Sequence, residues 1–192
     1  MPGDPALRLA SLDDLLRAID QERRCEIVDG GLVDKSAADE GHGGAQSEVV
    51  GRVHQPYNRR RGEGGPGGWW IRTEVHVALG TDVYCPDIAG WRRERVPVMP
   101  KDWPVPVAPD WVAEVLSAST AARDLGVKMR GYYQHGVEHY WVIDRQNQVL
   151  LVYFRGERAY ELVATGSPGD TLSLPPFPEV EIDVGRLFGI EA

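Results

Sequence analysis

The feature that most restricts the fold is the apolar run WVAEVL at residues 111–116, which contains a single acid. A short run rich in tryptophan, valine and leucine is typical of a strand buried inside a sheet. Glu114 conflicts with that environment, because an ionised carboxylate removed from water without a partner is strongly destabilising. Asp87 follows Pro86 in a second apolar run, residues 83–91. Both acids therefore require compensation, and a hard cation is one candidate, since Mg²⁺ prefers carboxylate oxygens.

The segment after this strand predicts a helix that carries a lysine. Ser119 and Thr120 are suitable N-capping residues, residues 121–135 are helix-like, and Gly136 is a suitable terminator. Lys128 lies four residues after Asp124, so a surface ion pair worth a few tenths of a kcal/mol is one interpretation of it. Taken singly, Asp87 is also compatible with a strand-end acid and Glu114 with a core carboxylate paired with an arginine.

The other segments predict helices and strands in a mixed order. The expected helices cover residues 11–19, with Ser11 as N-cap, and 45–60, with loops or turns at 37–44 and 62–68. The expected strands form a hairpin at 25–35 around Asp29-Gly30, an antiparallel pair at 69–79 and 83–91, a hairpin at 138–144 and 149–154, and segments at 159–164 and 180–184. A proline-rich excursion covers 92–109 and a turn-rich stretch covers 166–178. This order predicts an α/β (α+β) sandwich with a mixed β-sheet flanked by helices, in a single domain over residues 1–192.

Composition and charge limit the function classes. The net charge of −8 counts against a protein that coats nucleic acid nonspecifically, because such binding relies on lysine and arginine. It does not exclude a nuclease, since a bound cation offsets an acidic site locally. Basic residues are clustered at 59–61, at 92–95 and at 123–130, and solvated surface charge is the alternative interpretation of each cluster. Cys25 and Cys85 are predicted to be buried free thiols. With no membrane-length apolar run, no membrane partner is predicted and the cytoplasm is the expected location.

Three other chemistries lack support in the sequence. Residues 62–67 match G-x-G-x-x-G, but they follow a predicted helix and precede a predicted strand, which is the reverse of a dinucleotide-binding loop. His135 and His139 have the spacing of a zinc motif, yet Gly136 breaks the helix that such a motif needs. A nucleophile elbow and a P-loop lysine are both missing, so serine hydrolase and nucleotide-hydrolysing functions have no starting residue.

Several motifs follow one another along the chain in a specific order. They are Cys25–Val33, Pro86-Asp87, Glu114–Ser117, Ser119-Thr120, Arg123-Asp124, Lys128, Tyr132 or Tyr133, Gly136-Val137 and Tyr140–Asp144. Together they resemble the Uma-type restriction endonuclease family of the PD-(D/E)XK nuclease superfamily. The resemblance covers nearly the whole chain and implies a restriction-endonuclease-like core.

The resemblance implies a catalytic set of Asp87, Glu114 and Lys128. Asp87 and Glu114 would ligate Mg²⁺ (or Mn²⁺), with the backbone carbonyl of Val115 as a further ligand, and Lys128 would orient water or neutralise developing charge. The wider superfamily has its lysine two residues after the glutamate, where this chain has Leu116.

Two supporting positions are less well matched. The family commonly has a histidine at the start of its second helix, and we assign that position to Gln46. Glu74 is either a further acidic residue that supports the site or an exposed strand glutamate, and we leave it out of the predicted site because the second interpretation is simpler.

The predicted function is therefore that of a Mg²⁺-dependent endodeoxyribonuclease with DNA as its substrate. The alternative is a non-catalytic nuclease-fold module that binds nucleic acid or protein, and a homodimer is one of the open oligomeric states. Repulsion between two unpaired carboxylates also predicts that Asp87→Ala leaves the metal-free stability unchanged or raised.

Overall fold

The computed structural model describes residues 8–35, 39–117 and 120–190. Ser119, one of the two predicted capping residues, lies outside these ranges. The helices are α1 (Leu12–Asp20), α2 (Glu40–Tyr57), α3 (Ala121–Arg123), a π-helical turn (Asp124–Lys128), α4 (Met129–Gln134) and a 3₁₀ turn (Arg186–Phe188). The strands are β1 (Cys25–Val28), β2 (Gly31–Asp34), β3 (Trp69–Thr73), β4 (Val77–Leu79), β5 (Asp82–Tyr84), β6 (Ile88–Arg92), β7 (Trp111–Leu116), β8 (His139–Asp144), β9 (Val149–Arg155), β10 (Tyr160–Gly166), β11 (Thr171–Leu174) and β12 (Phe177–Asp183).

The central element is a six-stranded mixed sheet in the order β10-β9-β8-β7-β6-β3. Strand β7 is buried at every position, which confirms the interpretation of its apolar run. It pairs parallel with β8 and antiparallel with β6. A parallel pair needs a crossover connection, and α3, the π-helical turn and α4 provide it. This helical connection, which follows the strand that contains Glu114, therefore brings Lys128 back over the sheet.

Two smaller sheets complete the mixed α/β architecture. One has the order β2-β1-β5-β4, and the other pairs β11 with β12. The β1–β2 hairpin turns at Asp29 and Gly30, whose φ angles of 52° and 70° suit the left-handed turn predicted for this dipeptide. Helix α1 begins with the predicted Ser11 cap, and Asp14 completes a capping box.

Two predicted boundaries along the first half of the chain are wrong. Helix α2 begins at Glu40 instead of Ala45, because Asp39 caps it by accepting the His42 N–H at 2.8 Å. The predicted strand 69–79 is divided between two sheets as β3 and β4, and Glu74, with φ of 51°, lies at the break. A positive φ interrupts an extended strand, so the chain changes direction there.

Two further strand predictions are corrected. The predicted strand 83–91 is divided into β5 and β6, so Asp87 directly precedes β6 instead of lying within a strand. The stretch 166–178, predicted to be turn-rich, contains β11.

Both faces of the six-stranded sheet are covered. On one face, α2 packs its residues at helical spacing, Ala45, Val49, Val53 and Tyr57, against a core that includes Trp111, Trp141 and Phe177. On the other face, the core includes Tyr84 of β5, Tyr132 of α4 and Tyr140 of β8. The junction of β6 and β7 is enclosed between these layers, and it carries the two predicted acids.

Candidate active site

Strand register brings Asp87 and Glu114 together. Ile88 of β6 is paired with Ala113 of β7 in an antiparallel ladder, so the residues one position further along, Asp87 and Glu114, face each other. The Asp87 N–H donates to Glu114 Oε2 at 3.2 Å, and the Val115 N–H donates to Asp87 Oδ2 at 2.8 Å. Each residue is only 2% exposed. Each carboxylate is therefore held by the backbone of the opposite segment.

Lys128 lies in the π-helical turn and points inward to the same acids. Its Nζ is 2.6 Å from Glu114 Oε1, 3.2 Å from Glu26 Oε2 and 3.5 Å from Asp124 Oδ1, and the residue is 1% exposed. Burial opposes the charged form, but the charges of Glu114, Glu26 and Asp124 outweigh it and raise the pKa of Lys128 well above its usual value. These contacts exclude the surface ion pair as the explanation of this lysine.

The π-helical turn explains how this arrangement is accommodated. A wider turn leaves main-chain groups without their usual helical partners, and such turns are frequent at functional sites. Here the Tyr140 hydroxyl donates to the carbonyl of Asp124 at 3.1 Å. Both Asp124 and Lys128 are buried in the turn. The distorted helix thus directs two charged side chains into the protein.

The two facing carboxyls have pKa shifts of opposite sign. Burial is the largest influence on Glu114 and, with the Asp87 charge, raises its pKa to about 7 against the opposing effect of Lys128. Burial also acts on Asp87, but a hydrogen bond from His42 and the charge of Lys35 hold its pKa well below the usual range. Neighbouring acids whose environments separate their pKa values in this way are typical of functional sites.

Lys35 is a site residue that the sequence interpretation missed. Its Nζ lies 2.7 Å from Asp87 Oδ1 and 2.8 Å from Glu74 Oε2, and its side chain is only 8% exposed. Burial disfavours its ammonium, yet the Asp87 charge and other nearby acidic groups raise its pKa. It follows strand β2, in a region where the sequence pattern indicates only a hairpin.

His42 is the second missed residue, and it corrects the assignment of Gln46. His42 occupies the first turn of α2, and its Nε2 lies 3.3 Å from Asp87 Oδ1. Gln46 lies one turn later and donates its Nε2–H to the Asp87 backbone carbonyl at 2.7 Å. The sequence analysis predicts a loop at residues 37–44, which contains His42, so it does not place this histidine on the helix.

Glu74 and Glu26 complete the cluster. Glu74 is partly buried and accepts contacts from both Lys35 and Arg24 at 2.8 Å, so its interpretation as an exposed strand glutamate is wrong. Glu26 is 1% exposed, pairs with Lys128 and accepts the Cys85 N–H at 3.0 Å. An acid at each of these positions is indistinguishable in sequence from a solvated strand residue.

Candidate metal ligands are present on one side of the cluster. Ligand atoms of His42, Glu74 and Asp87 all lie within 4.8 Å of one another. Two carboxylates and an imidazole form a donor set that suits a divalent cation. Glu114 belongs to the adjacent part of the cluster, where Tyr132 donates its hydroxyl to Oε1 at 2.8 Å. The predicted ligand set of Asp87, Glu114 and the Val115 carbonyl stays a prediction.

The two histidines of the rejected zinc motif contact residues outside this cluster, whereas Cys85 borders it, with its Sγ 3.7 Å from Glu74 Oε2. His135 contacts the Gly131 carbonyl, whereas His139 contacts Glu138, so each histidine has its own neighbours. Cys25 and Cys85 are buried free thiols, as predicted. Gly62, Gly64 and Gly67 belong to the turn between α2 and β3, consistent with the rejection of a dinucleotide loop.

Comparison with known proteins agrees with this architecture. The model of the Uma2 family, described as "Putative restriction endonuclease", matches residues 11–185. A similar solved structure is titled "Crystal structure of a putative nuclease belonging to DUF820 from Anabaena variabilis ATCC 29413". It is 23% identical, the match covers 93% of this chain and 97% of that chain, and the TM-score is 0.72. At this identity the likeness shows a shared fold, and the family match supports a nuclease function.

No curated protein matches the chain. In residues 8–35, 39–117 and 120–190, the helices are all too short or too polar to span a bilayer.

Proposed function

Since the chain belongs to the Uma2 family, we propose that it is a Mg²⁺- or Mn²⁺-dependent endonuclease that hydrolyses DNA phosphodiester bonds. The observation that carries the proposal is the buried pair of Asp87 and Glu114, with opposite pKa shifts and with Lys128 held on Glu114. A structural ion pair needs only one acid and one base. In this cluster, by contrast, Lys128 alone contacts three carboxylates, so several acids share one ammonium.

Asp87 is the principal metal ligand in this proposal. Its low pKa keeps it ionised at neutral pH, and Glu74 and His42 are near enough to share a cation with it. Glu114 and the Val115 carbonyl are the further ligands proposed from the family pattern. When bound, a divalent cation supplies Lewis acidity that activates water and offsets charge on the phosphoryl oxygens.

Lys128 and Tyr132 position Glu114. Lys128 and Tyr132 both contact Glu114 Oε1, and the Asp87 N–H donates to Oε2, so three groups orient this one carboxyl. With a pKa of about 7 in the metal-free protein, the Glu114 carboxyl is present in both protonated and ionised forms near neutral pH. A cation bound at Glu114 would favour its ionised form, which is the form that ligates metal. Lys128 contributes fixed positive charge at the same place.

A basic surface along β3 is the proposed contact for DNA phosphates. Arg93 places its guanidinium carbon 3.3 Å from the Trp70 ring centroid. Burial, Arg60 and Arg72 lower the pKa of Arg93, which indicates concentrated positive charge. Arg93 donates to the Trp69 carbonyl at the start of β3, and Glu74 follows the other end of that strand, so the basic surface extends along β3 away from the candidate site. The local concentration offsets the acidic net charge of the chain.

A non-catalytic interaction module is the second candidate, and one observation favours it. The oxygens of Asp87 and Glu114 already have protein partners, among them Lys35, Lys128, Tyr132 and two backbone N–H groups. A polar cluster whose charges are paired within the protein can stabilise a fold without binding any cation.

Cleavage assays separate the two candidates. Plasmid and branched DNA are incubated with the wild type, Asp87→Asn and Glu114→Gln in Mg²⁺, Mn²⁺ or chelator. We expect metal-dependent nicking by the wild type and a loss of about two orders of magnitude or more in each variant. Lys101→Met, at an exposed position, is the matched control and should cleave normally. An inactive wild type whose melting temperature does not change with either cation would favour the interaction module.

A further inference from the structure

The Lys35 ammonium lies where a shared cation would bind. It bridges Asp87 Oδ1 at 2.7 Å and Glu74 Oε2 at 2.8 Å, and both oxygens belong to the candidate ligand set that includes His42. The side chain is 8% exposed, so the bridge is formed largely out of water. The ammonium therefore already supplies the positive charge that these two acids require.

An ammonium that bridges these two oxygens and a divalent cation that binds both of them compete for the same position. Mg²⁺ binds carboxylate oxygens at about 2.0–2.1 Å and demands a near-octahedral arrangement of ligands. A lysine nitrogen at hydrogen-bonding distance from the same two oxygens would then lie within a few ångströms of the metal. At that separation the repulsion between the two cations is several kcal/mol even at an effective dielectric constant of about 20.

We propose that Lys35 occupies the cation position in the metal-free protein and is displaced from Asp87 and Glu74 when a divalent cation binds. The inference rests on the proposed function, because it assumes that a cation binds at Asp87. It makes Lys35 a positioning residue, which holds the acids together until metal arrives and lowers the apparent affinity for that metal.

Lys35 is better suited to displacement than Lys128. Lys128 is 1% exposed and contacts three carboxylates, so its removal from the cluster would leave several buried acids unpaired. Lys35 contacts two acids, and one of them, Glu74, also keeps its ion pair with Arg24 at 2.8 Å. When Lys35 leaves, Glu74 therefore retains a partner, and the cation compensates Asp87.

The first test measures metal affinity without DNA. Isothermal titration with Mg²⁺ and with Mn²⁺ is performed on the wild type, Lys35→Met and Lys101→Met. We expect Lys35→Met to bind at least about tenfold more tightly than the wild type, because no ammonium has to be expelled. Lys101→Met should match the wild type. Melting in chelator should show Lys35→Met to be less stable, and the added cation should raise its melting temperature more than that of the wild type.

The second test uses the wild type, so it does not depend on a variant that folds. The protein is acetylated briefly with an N-hydroxysuccinimide ester across a Mg²⁺ titration, and each lysine is quantified by mass spectrometry. Labelling of Lys35 should rise about fivefold or more with the midpoint of Mg²⁺ binding, because a displaced amine leaves its ion pairs and reaches solvent. Exposed Lys101 is the reference, and Lys128 should stay protected.

The outcomes separate this inference from the proposed function. Equal affinities in the wild type and Lys35→Met, or Lys35 labelling unchanged at saturating Mg²⁺, would overturn the role of Lys35 and leave the metal-dependent nuclease intact. No binding of either cation to any of the three proteins would overturn both. Tighter binding by Lys35→Met together with Mg²⁺-dependent labelling supports the displacement.

Discussion

Replacing Lys128 by methionine is the perturbation whose effect follows most directly from the structure. Methionine keeps most of the side-chain volume and removes the charge that contacts Glu114, Glu26 and Asp124. Glu26 and Glu114 are 1% and 2% exposed, so water cannot replace the lost ammonium without opening the core. Removing one partner of a buried ion pair costs about 3–5 kcal/mol, and we expect a loss in this range near neutral pH.

The loss should depend on pH, and linkage gives its sign. The folded-state pKa of Glu114, about 7, lies above the ordinary value of 4.5 for a glutamate, so the folded protein binds more protons than the unfolded chain between these values. A carboxyl of this kind destabilises the fold progressively as pH rises through that window. Without Lys128, which lowers this pKa, the folded-state pKa moves higher still. The stability difference between Lys128→Met and the wild type should therefore grow with pH.

Urea denaturation of both proteins at about pH 5.5 and about pH 8 measures this difference, with ΔG obtained by linear extrapolation. Lys101→Met, at an exposed position, should differ from the wild type by less than about 0.5 kcal/mol. The double variant Lys128→Met/Glu114→Gln should recover part of the loss, since the residues are in direct contact. A loss below about 1 kcal/mol at the higher pH, or a loss independent of pH, would refute the assignment of Lys128 as a buried counter-charge.

Three further outcomes are expected. Asp87→Ala should lower the melting temperature in chelator, because Lys35 and His42 lose their partner, and an unchanged or raised value would restore the expectation based on repulsion alone. Tyr132→Phe removes a hydroxyl donor to Glu114 and should cost about 1–3 kcal/mol in urea denaturation, with an unchanged midpoint contradicting the hydrogen bond. His42→Ala should weaken Mn²⁺ binding more than Mg²⁺ binding in calorimetric titrations, because imidazole favours transition metals, and equal losses would exclude His42 as a ligand.

Local patterns were sufficient for much of the fold. The β1–β2 turn at Asp29-Gly30, the Ser11 cap and the buried β7 strand each depend on a few adjacent residues, and each is confirmed. The mixed sheet also follows, because a strand, a helix and a second strand in that order favour a parallel pair. Apolar periodicity does not predict the boundaries at Glu40 and Glu74. The first depends on the Asp39 cap, and the second depends on the positive φ of Glu74.

The sequence by itself determined that Asp87 and Glu114 require compensation, since both lie in apolar runs whatever surrounds them. It also determined that Lys128 returns over the sheet on the following helix. Only the tertiary structure decided which charged groups contact Asp87 and Glu114. Lys35, which follows β2, and His42, in α2, contact Asp87 from parts of the chain that are distant in sequence, and local periodicity does not predict such contacts. The pKa shifts depend on the same long-range contacts and on burial, so only the folded chain makes the two acids chemically different.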